Sequence, residues 1–204
     1  MNPLNSVKGA ITTGVVLAIL LALALTPTVF NEFQLARWLH ILSGVMWIGL
    51  LYYFNVVQIP GMAVAGADKG GPGGAGISKY IAPVALLWFR WAALATWLTG
   101  AWYLIRGHNF AGAFALGMLD AEVNGYQLVI GIGAWLGTIM LLNVWGLIWP
   151  NQKRVLGIVP ATDEEKAKAR RVAMLASRTN FVLSIPMLMC MAAAGHGAVA
   201  GLPF

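Results

Sequence analysis

The sequence predicts an all-α integral membrane protein: a bundle of five transmembrane helices, with the N-terminus cytoplasmic and the C-terminus outside. Three observations carry this. Only 10% of the 204 residues are charged and 59% are hydrophobic, whereas a soluble domain averages about 25% charged residues. The apolar residues fall in runs of roughly 20, the length that crosses a hydrocarbon core as a helix. The cations gather in loops on one side, as they do in cytoplasmic loops of membrane proteins. Mean hydropathy is +0.75, and the length suits a single membrane domain over residues 1–204.

The first span covers about residues 7–25 and ends at Thr26-Pro27. It is longer than the apolar core of a signal peptide, and no small-x-small cleavage site follows it, so it is expected to be retained. The second covers about 33–57. Residues 61–79, with GADKGGPGGAGISK, have the composition of a flexible loop. The third span covers about 80–105. The FAGAFALGML stretch in the following connection is too short to cross and is expected along the interface. The fourth span covers about 124–149, with Pro150 expected to stop it. The fifth covers about 175–197; the charged DEEKAKARR before it has good helix propensity, so the helix should begin in water. Pro186 should bend this last helix. Gly133 and Gly137 form a small-xxx-small pair suited to close helix packing.

Alternation of sides fixes the orientation. Lys8, Lys69, Lys79, Lys153, Arg154, Lys166, Lys168, Arg170 and Arg171 fall on one face, and Arg37 and Arg106 on the other. Nine against two makes the first face cytoplasmic. The expected location is a bacterial inner membrane, crossed several times. Trp38, Trp102 and Trp149 near the span ends fit an aromatic belt.

This topology brings all three histidines, His40, His108 and His196, toward the outer face. His40 and His196 belong to different spans at similar depth. One histidine inside a membrane helix needs a partner, and a neutral imidazole bonded to a neighbouring helix is the simplest. Two at one depth point to axial ligation of a b-type haem, for which imidazole is a good ligand. Gly44 lies one turn from His40, and Gly195 and Gly197 flank His196, so a flat macrocycle could approach the backbone. Arg37, three residues before His40, and Arg106 are the cations available to haem propionates. A copper site fits less well, since no carboxylate or thiolate lies beside the histidines.

A second group, Asn55, Gln58, Asn143, Arg178 and Asn180, gathers near the inner ends, with Arg90 nearer mid-membrane. Amides inside spans commonly tie helices together, and Arg178 is expected to be held by Asn143 or Asn55. The competing reading is a polar pocket for a quinone or an anionic ligand, built from Asn55, Arg90, Asn143, Arg178 and Asn180. An intramembrane arginine is a functional-site candidate by default, unless backbone carbonyls or water satisfy it.

Several function classes are excluded. The net charge of +6 sits beside apolar spans, and no base-reading module accompanies it, so anionic lipid explains it better than nucleic acid. Cys190 is the sole cysteine, which rules out an intramolecular disulfide and any C-x-x-C-H haem attachment. No nucleophile–base constellation, paired carboxylates or P-loop is present.

Three blocks, RWLHILSGVMWIG, NVWGLIWPNQKRVLG and ASRTNFVLSIPMLMCMAAAGH, resemble the membrane domain of the bacterial membrane-bound urate hydroxylase family. The likeness covers about residues 33–197. Full-length members of that family carry a cytochrome c domain after the membrane part and oxidise urate, passing electrons outward; this chain resembles a short form without it. The leading expectation is a membrane electron-transfer subunit with one b-type haem near the outer face, inside a larger respiratory or redox complex. Its partners would be the lipid bilayer, other membrane subunits, and a periplasmic cytochrome c or a quinone. The alternatives are a urate- or purine-type oxidoreductase working with a separate cytochrome c, and a cofactor-free accessory subunit.

Overall fold

The structure is a computed structural model that describes residues 2–25, 31–119 and 121–195. No strand occurs among them. Five helices are long and apolar enough to cross a membrane: Val7–Leu25, Glu32–Ala67, Ile77–Arg106, Gly125–Val155 and Asp163–Gly195. The chain divides into two compact units, residues 1–32 and 33–204.

The first unit is helix α1, Val7–Leu25, preceded by a single 3-10 turn, Pro3–Asn5. The Asn2 side chain accepts from the Leu4 N–H at 2.9 Å, and Ser6 Oγ accepts from the Gly9 N–H at 3.0 Å. These bonds satisfy amides that the helix start leaves without partners. α1 buries no residue within its unit and is long and apolar enough to cross a membrane.

The second unit takes in α2 (Glu32–Tyr52) from residue 33 onward, and α2 passes through a π-helical turn, Tyr53–Gln58, into α3 (Ile59–Ala67). Another π turn, Ile77–Ile81, leads into α4 (Ala82–Arg106). The short α5 (Phe110–Phe114) precedes α6 (Gly125–Asn143), whose π turn Val144–Ile148 runs into α7 (Trp149–Val155). Finally α8 covers Asp163–Gly195, with Pro186 inside it. Thr162 and Glu165 form a capping box at its start: the Thr162 N–H donates to Glu165 Oε2 at 2.7 Å, and the Glu165 N–H to Thr162 Oγ1 at 3.2 Å.

Two helices therefore outrun the boundaries expected from sequence. The second continues ten residues past 57, and the fourth passes Pro150 to Val155. The cause repeats. Each π turn is followed directly by an X-Pro pair: Ile59-Pro60, Ala82-Pro83 and Trp149-Pro150. Proline lacks an N–H, and in an α-helix its ring collides with the carbonyl four residues back. The wider i→i+5 turn displaces that carbonyl, so the helix continues. The glycine-rich loop shrinks to residues 68–74.

The main core lies toward the π-turn end, where Trp47, Leu51, Phe54, Leu86, Phe89, Met140, Val144, Ile148 and Met187 interdigitate. Phe54 and Phe89 meet edge to face at 5.4 Å. α6 and α8 pack closely along their lengths. Gly133 permits this, since a Cβ there would lie 3.2 Å from Cys190 Cβ. A smaller core of Leu104, Ala113, Ile130, Ala134 and Ala194 lies toward the other end. There α5 buries Gly112 and Ala113, and Trp135 Nε1 donates to the Phe114 carbonyl at 3.1 Å. The FAGAF part of the FAGAFALGML stretch forms α5 and packs onto α6. Its flanking residues His108 and Leu116 have positive φ, 55° and 54°, uncommon for side-chain-bearing residues. The backbone of α2, by contrast, stands off from α4, α6 and α8, and comes close to α8 at the π turn Tyr53–Gln58.

Candidate functional site

Where α2 stands off, a cavity of about 500 Å³ opens, lined by α2, α4, α6, α8 and Phe114. That volume falls within the roughly 300–1,000 Å³ of ordinary ligand pockets. Its walls are mainly apolar: Ile41, Val45, Trp47, Ile48, Trp97, Met187, Leu188 and Met191 among them. Polar groups are few: Arg37, His40, Thr96, Tyr103 and Tyr126. Glycines line it on four helices, Gly44, Gly100, Gly137 and Gly195. At Gly44 a Cβ would meet only Thr96 Cγ2, at 3.7 Å, and at Gly137 it would meet nothing within 4 Å. Of the expected packing pair, then, Gly133 packs against α8 and Gly137 faces open space.

His40 is the best-defined group. Its Nδ1 lies 2.8 Å from the Thr96 carbonyl oxygen. A carbonyl only accepts, so Nδ1 carries the hydrogen and donates. In the neutral ring this leaves the Nε2 lone pair uncommitted. The same arrangement, with the second ring nitrogen bonded to a backbone carbonyl, orients metal-ligating histidines in general. Gly100 makes the ring's position possible, because a Cβ there would fall 2.8 Å from both Cε1 and Nδ1 of His40.

Arg37 sits one turn away on α2 and donates through Nη2 to the Gly195 carbonyl at 3.3 Å. Tyr103 on α4 and Tyr126 on α6 line the cavity as well. The Phe33 ring stacks on Tyr103 with centroids 4.3 Å apart. Trp97 Nε1 donates to Thr138 Oγ1 at 2.8 Å and braces α4 against α6.

Of the residues expected from sequence, Arg37, His40 and Gly44 come together at this cavity. His196 and Gly197 lie outside the described residues; Gly195, the last described residue of α8, lines the cavity. Arg106 is exposed in the last turn of α4, and His108 is exposed after it; neither is among the lining residues. Thr96, Gly100, Tyr103 and Tyr126 were not anticipated. A signal existed for α4: positions 96, 100 and 103 recur at helical spacing and share one face. Among the described residues no three His, Cys, Asp or Glu side chains converge. A porphyrin supplies most of its iron's ligands itself and asks the protein for an axial imidazole, a demand that His40 fits.

The second expected cluster resolves into separate pairs. Asn143 Nδ2 donates to Asn180 Oδ1 at 2.9 Å, and Asn180 Nδ2 to the Met140 carbonyl at 2.9 Å, with Asn180 fully buried. Asn55 Nδ2 reaches the Leu51 carbonyl at 2.9 Å and Ser177 Oγ at 3.0 Å. The Tyr52 hydroxyl lies 3.3 Å from Ser184 Oγ. Arg90 stacks on the Trp149 ring, its guanidinium carbon 3.8 Å from the centroid, and donates to the Leu86 carbonyl at 3.3 Å. Arg178 is exposed, and the amides expected to hold it bond elsewhere. The reason is angular: Ser177 and Asn180 occupy the inward face of α8, and position 178 is rotated about 100° from 177.

Comparison with known proteins bears on the C-terminal part. No curated protein and no solved structure matches the chain. Residues 119–202 match the family model described as urate oxidase N-terminal. The matched segment contains α6, α7 and α8, and with them Tyr126, Asn143, Asn180 and Gly195. The likeness covers 84 of the 204 residues and is a likeness of that segment.

Proposed function

We propose that this chain is a membrane electron-transfer subunit that holds one b-type haem in the cavity between α2, α4, α6 and α8. The observation that carries the reading is His40: an imidazole fixed by the Thr96 carbonyl at the wall of an apolar space of about 500 Å³. A haem bound there would supply one-electron chemistry. The protein's residues would do the rest. Thr96 selects the His40 tautomer, Gly100 makes room for the ring, and Gly44 and Gly137 let a flat ligand approach two helices. The apolar walls keep water from the iron. His196, one residue beyond Gly195, is the proposed second axial ligand, and two imidazoles favour electron transfer over oxygen binding.

The excess of cations on the 58–79 and 150–172 loops supports a cytoplasmic placement of that face and an outward haem. A periplasmic cytochrome c is then a suitable acceptor and a membrane quinol a suitable donor, within a larger complex. The test is a pyridine haemochrome assay and a reduced-minus-oxidised spectrum of purified protein. A b-type spectrum at about one haem per chain is expected, and absence of haem from membranes that make haem overturns the reading.

The family match favours a second reading, a urate-related oxidoreductase working with a separate cytochrome c. Urate-dependent reduction of the bound haem would establish it. Urate-insensitive haem leaves the electron-transfer subunit.

A further inference from the structure

We propose that Arg37, Tyr103 and Tyr126 form a carboxylate-binding subsite at one end of the cavity. It rests on the haem reading in naming the ligand, whose propionate would be the carboxylate; the shared chemistry is one carboxylate on an apolar body.

Donor bookkeeping leads here. Arg37 has five N–H donors, and its one hydrogen bond among the described residues goes to the Gly195 carbonyl. Among the described residues it has no acidic partner, and it is the only cation lining the cavity. Tyr103 and Tyr126 line the same cavity, and each phenol carries one O–H donor. Phe33, stacked on Tyr103, holds that ring in place. A guanidinium fork with a phenol beside it matches the planar, two-oxygen geometry of a carboxylate. A single cation suits a monoanion; a phosphate brings about twice the charge at neutral pH. The remaining walls, from Ile41 and Val45 to Met187 and Leu188, are apolar, so the rest of the ligand must be apolar too.

The test compares haem b with its dimethyl ester, which keeps the macrocycle and loses both carboxylates. Purified protein depleted of haem is titrated with each. The wild type should bind the diacid about tenfold more tightly or better, as loss of a charge-assisted hydrogen bond implies. Arg37→Gln should bring the two within about twofold. Arg37→Lys should keep part of the preference, and Tyr126→Phe should reduce it about two- to fivefold without altering the haem spectrum. Equal wild-type affinity for both porphyrins overturns the subsite, as does a preference that survives Arg37→Gln. If neither porphyrin binds, the haem reading fails instead. The subsite is then judged with oleate, followed by quenching of tryptophan fluorescence. Binding that Arg37→Gln abolishes sustains it, and absence of binding overturns it. Should Arg37→Gln fail to fold, the Arg37→Lys and Tyr126→Phe titrations carry the decision.

Discussion

The two ends of the second unit use polar residues in opposite ways. Toward the π turns, amides and hydroxyls are paired across helices: Asn143 with Asn180, Asn55 with Ser177, Tyr52 with Ser184. Space there is filled by a core in which Phe89, Leu51, Met140 and Val144 are all but inaccessible. Toward Arg37, polar groups are as few, but they border open volume. Single hydrogen bonds among the described residues fix their orientation and leave their chemistry uncommitted: Nε2 on His40 and spare N–H groups on Arg37. A polar side chain in an apolar helix is costly in either place. Cross-helix pairs beside filled space mark a structural clamp, even with Trp145 Nε1, Asn55 Oδ1 and Gln58 Oε1 buried without a partner among the described residues, and unspent donors beside a void mark a site.

Mutations sharpen this contrast. The largest effect is expected at His40. His40→Ala should abolish the b-type spectrum while the protein still elutes as a single species in detergent; retained haem would move the ligand elsewhere. Next comes Gly100→Ala. The added methyl occupies space held by the His40 ring, so haem content should fall several-fold with little change in unfolding temperature. A full complement of haem would mean the ring has room to shift. Asn180→Leu tests the clamp. It removes bonds to Asn143 and to the Met140 carbonyl, and membrane-helix hydrogen bonds average about 0.6 kcal/mol each. Detergent stability should therefore drop by about 1 kcal/mol with an unchanged haem spectrum. Arg178→Gln should be smallest, within about 0.5 kcal/mol, as for exposed positions. Loss of haem or of substrate-dependent reduction in that variant would restore the pocket reading of the cluster.

Much of the fold was legible because hydrocarbon thickness is a blunt constraint: five runs of sufficient length gave five helices. The ends were misjudged where a local rule was trusted. Pro150 reads as a stop in α-helical geometry, and a π turn removes the clash on which that rule depends. In the site, Arg37, His40 and Gly44 were legible through their spacing on one helix. Thr96, Gly100, Tyr103 and Tyr126 were not, because a single sequence does not say which face of α4 or α6 turns toward α2. Arg178 was misassigned for the same reason. Its place along α8 was legible, and rotation about α8 was not.

The recurring π turns bear on how this chain relates to others of its kind. A π turn is an α-helix carrying one residue more than its turn needs. A relative that lacks one of them would align with a single-residue gap in the middle of a membrane helix, where gaps are least expected. It should also lack the proline that follows, because without the wide turn the ring would strike the carbonyl behind it. At Pro60, Pro83 and Pro150, the extra residue and the proline should therefore be gained and lost together.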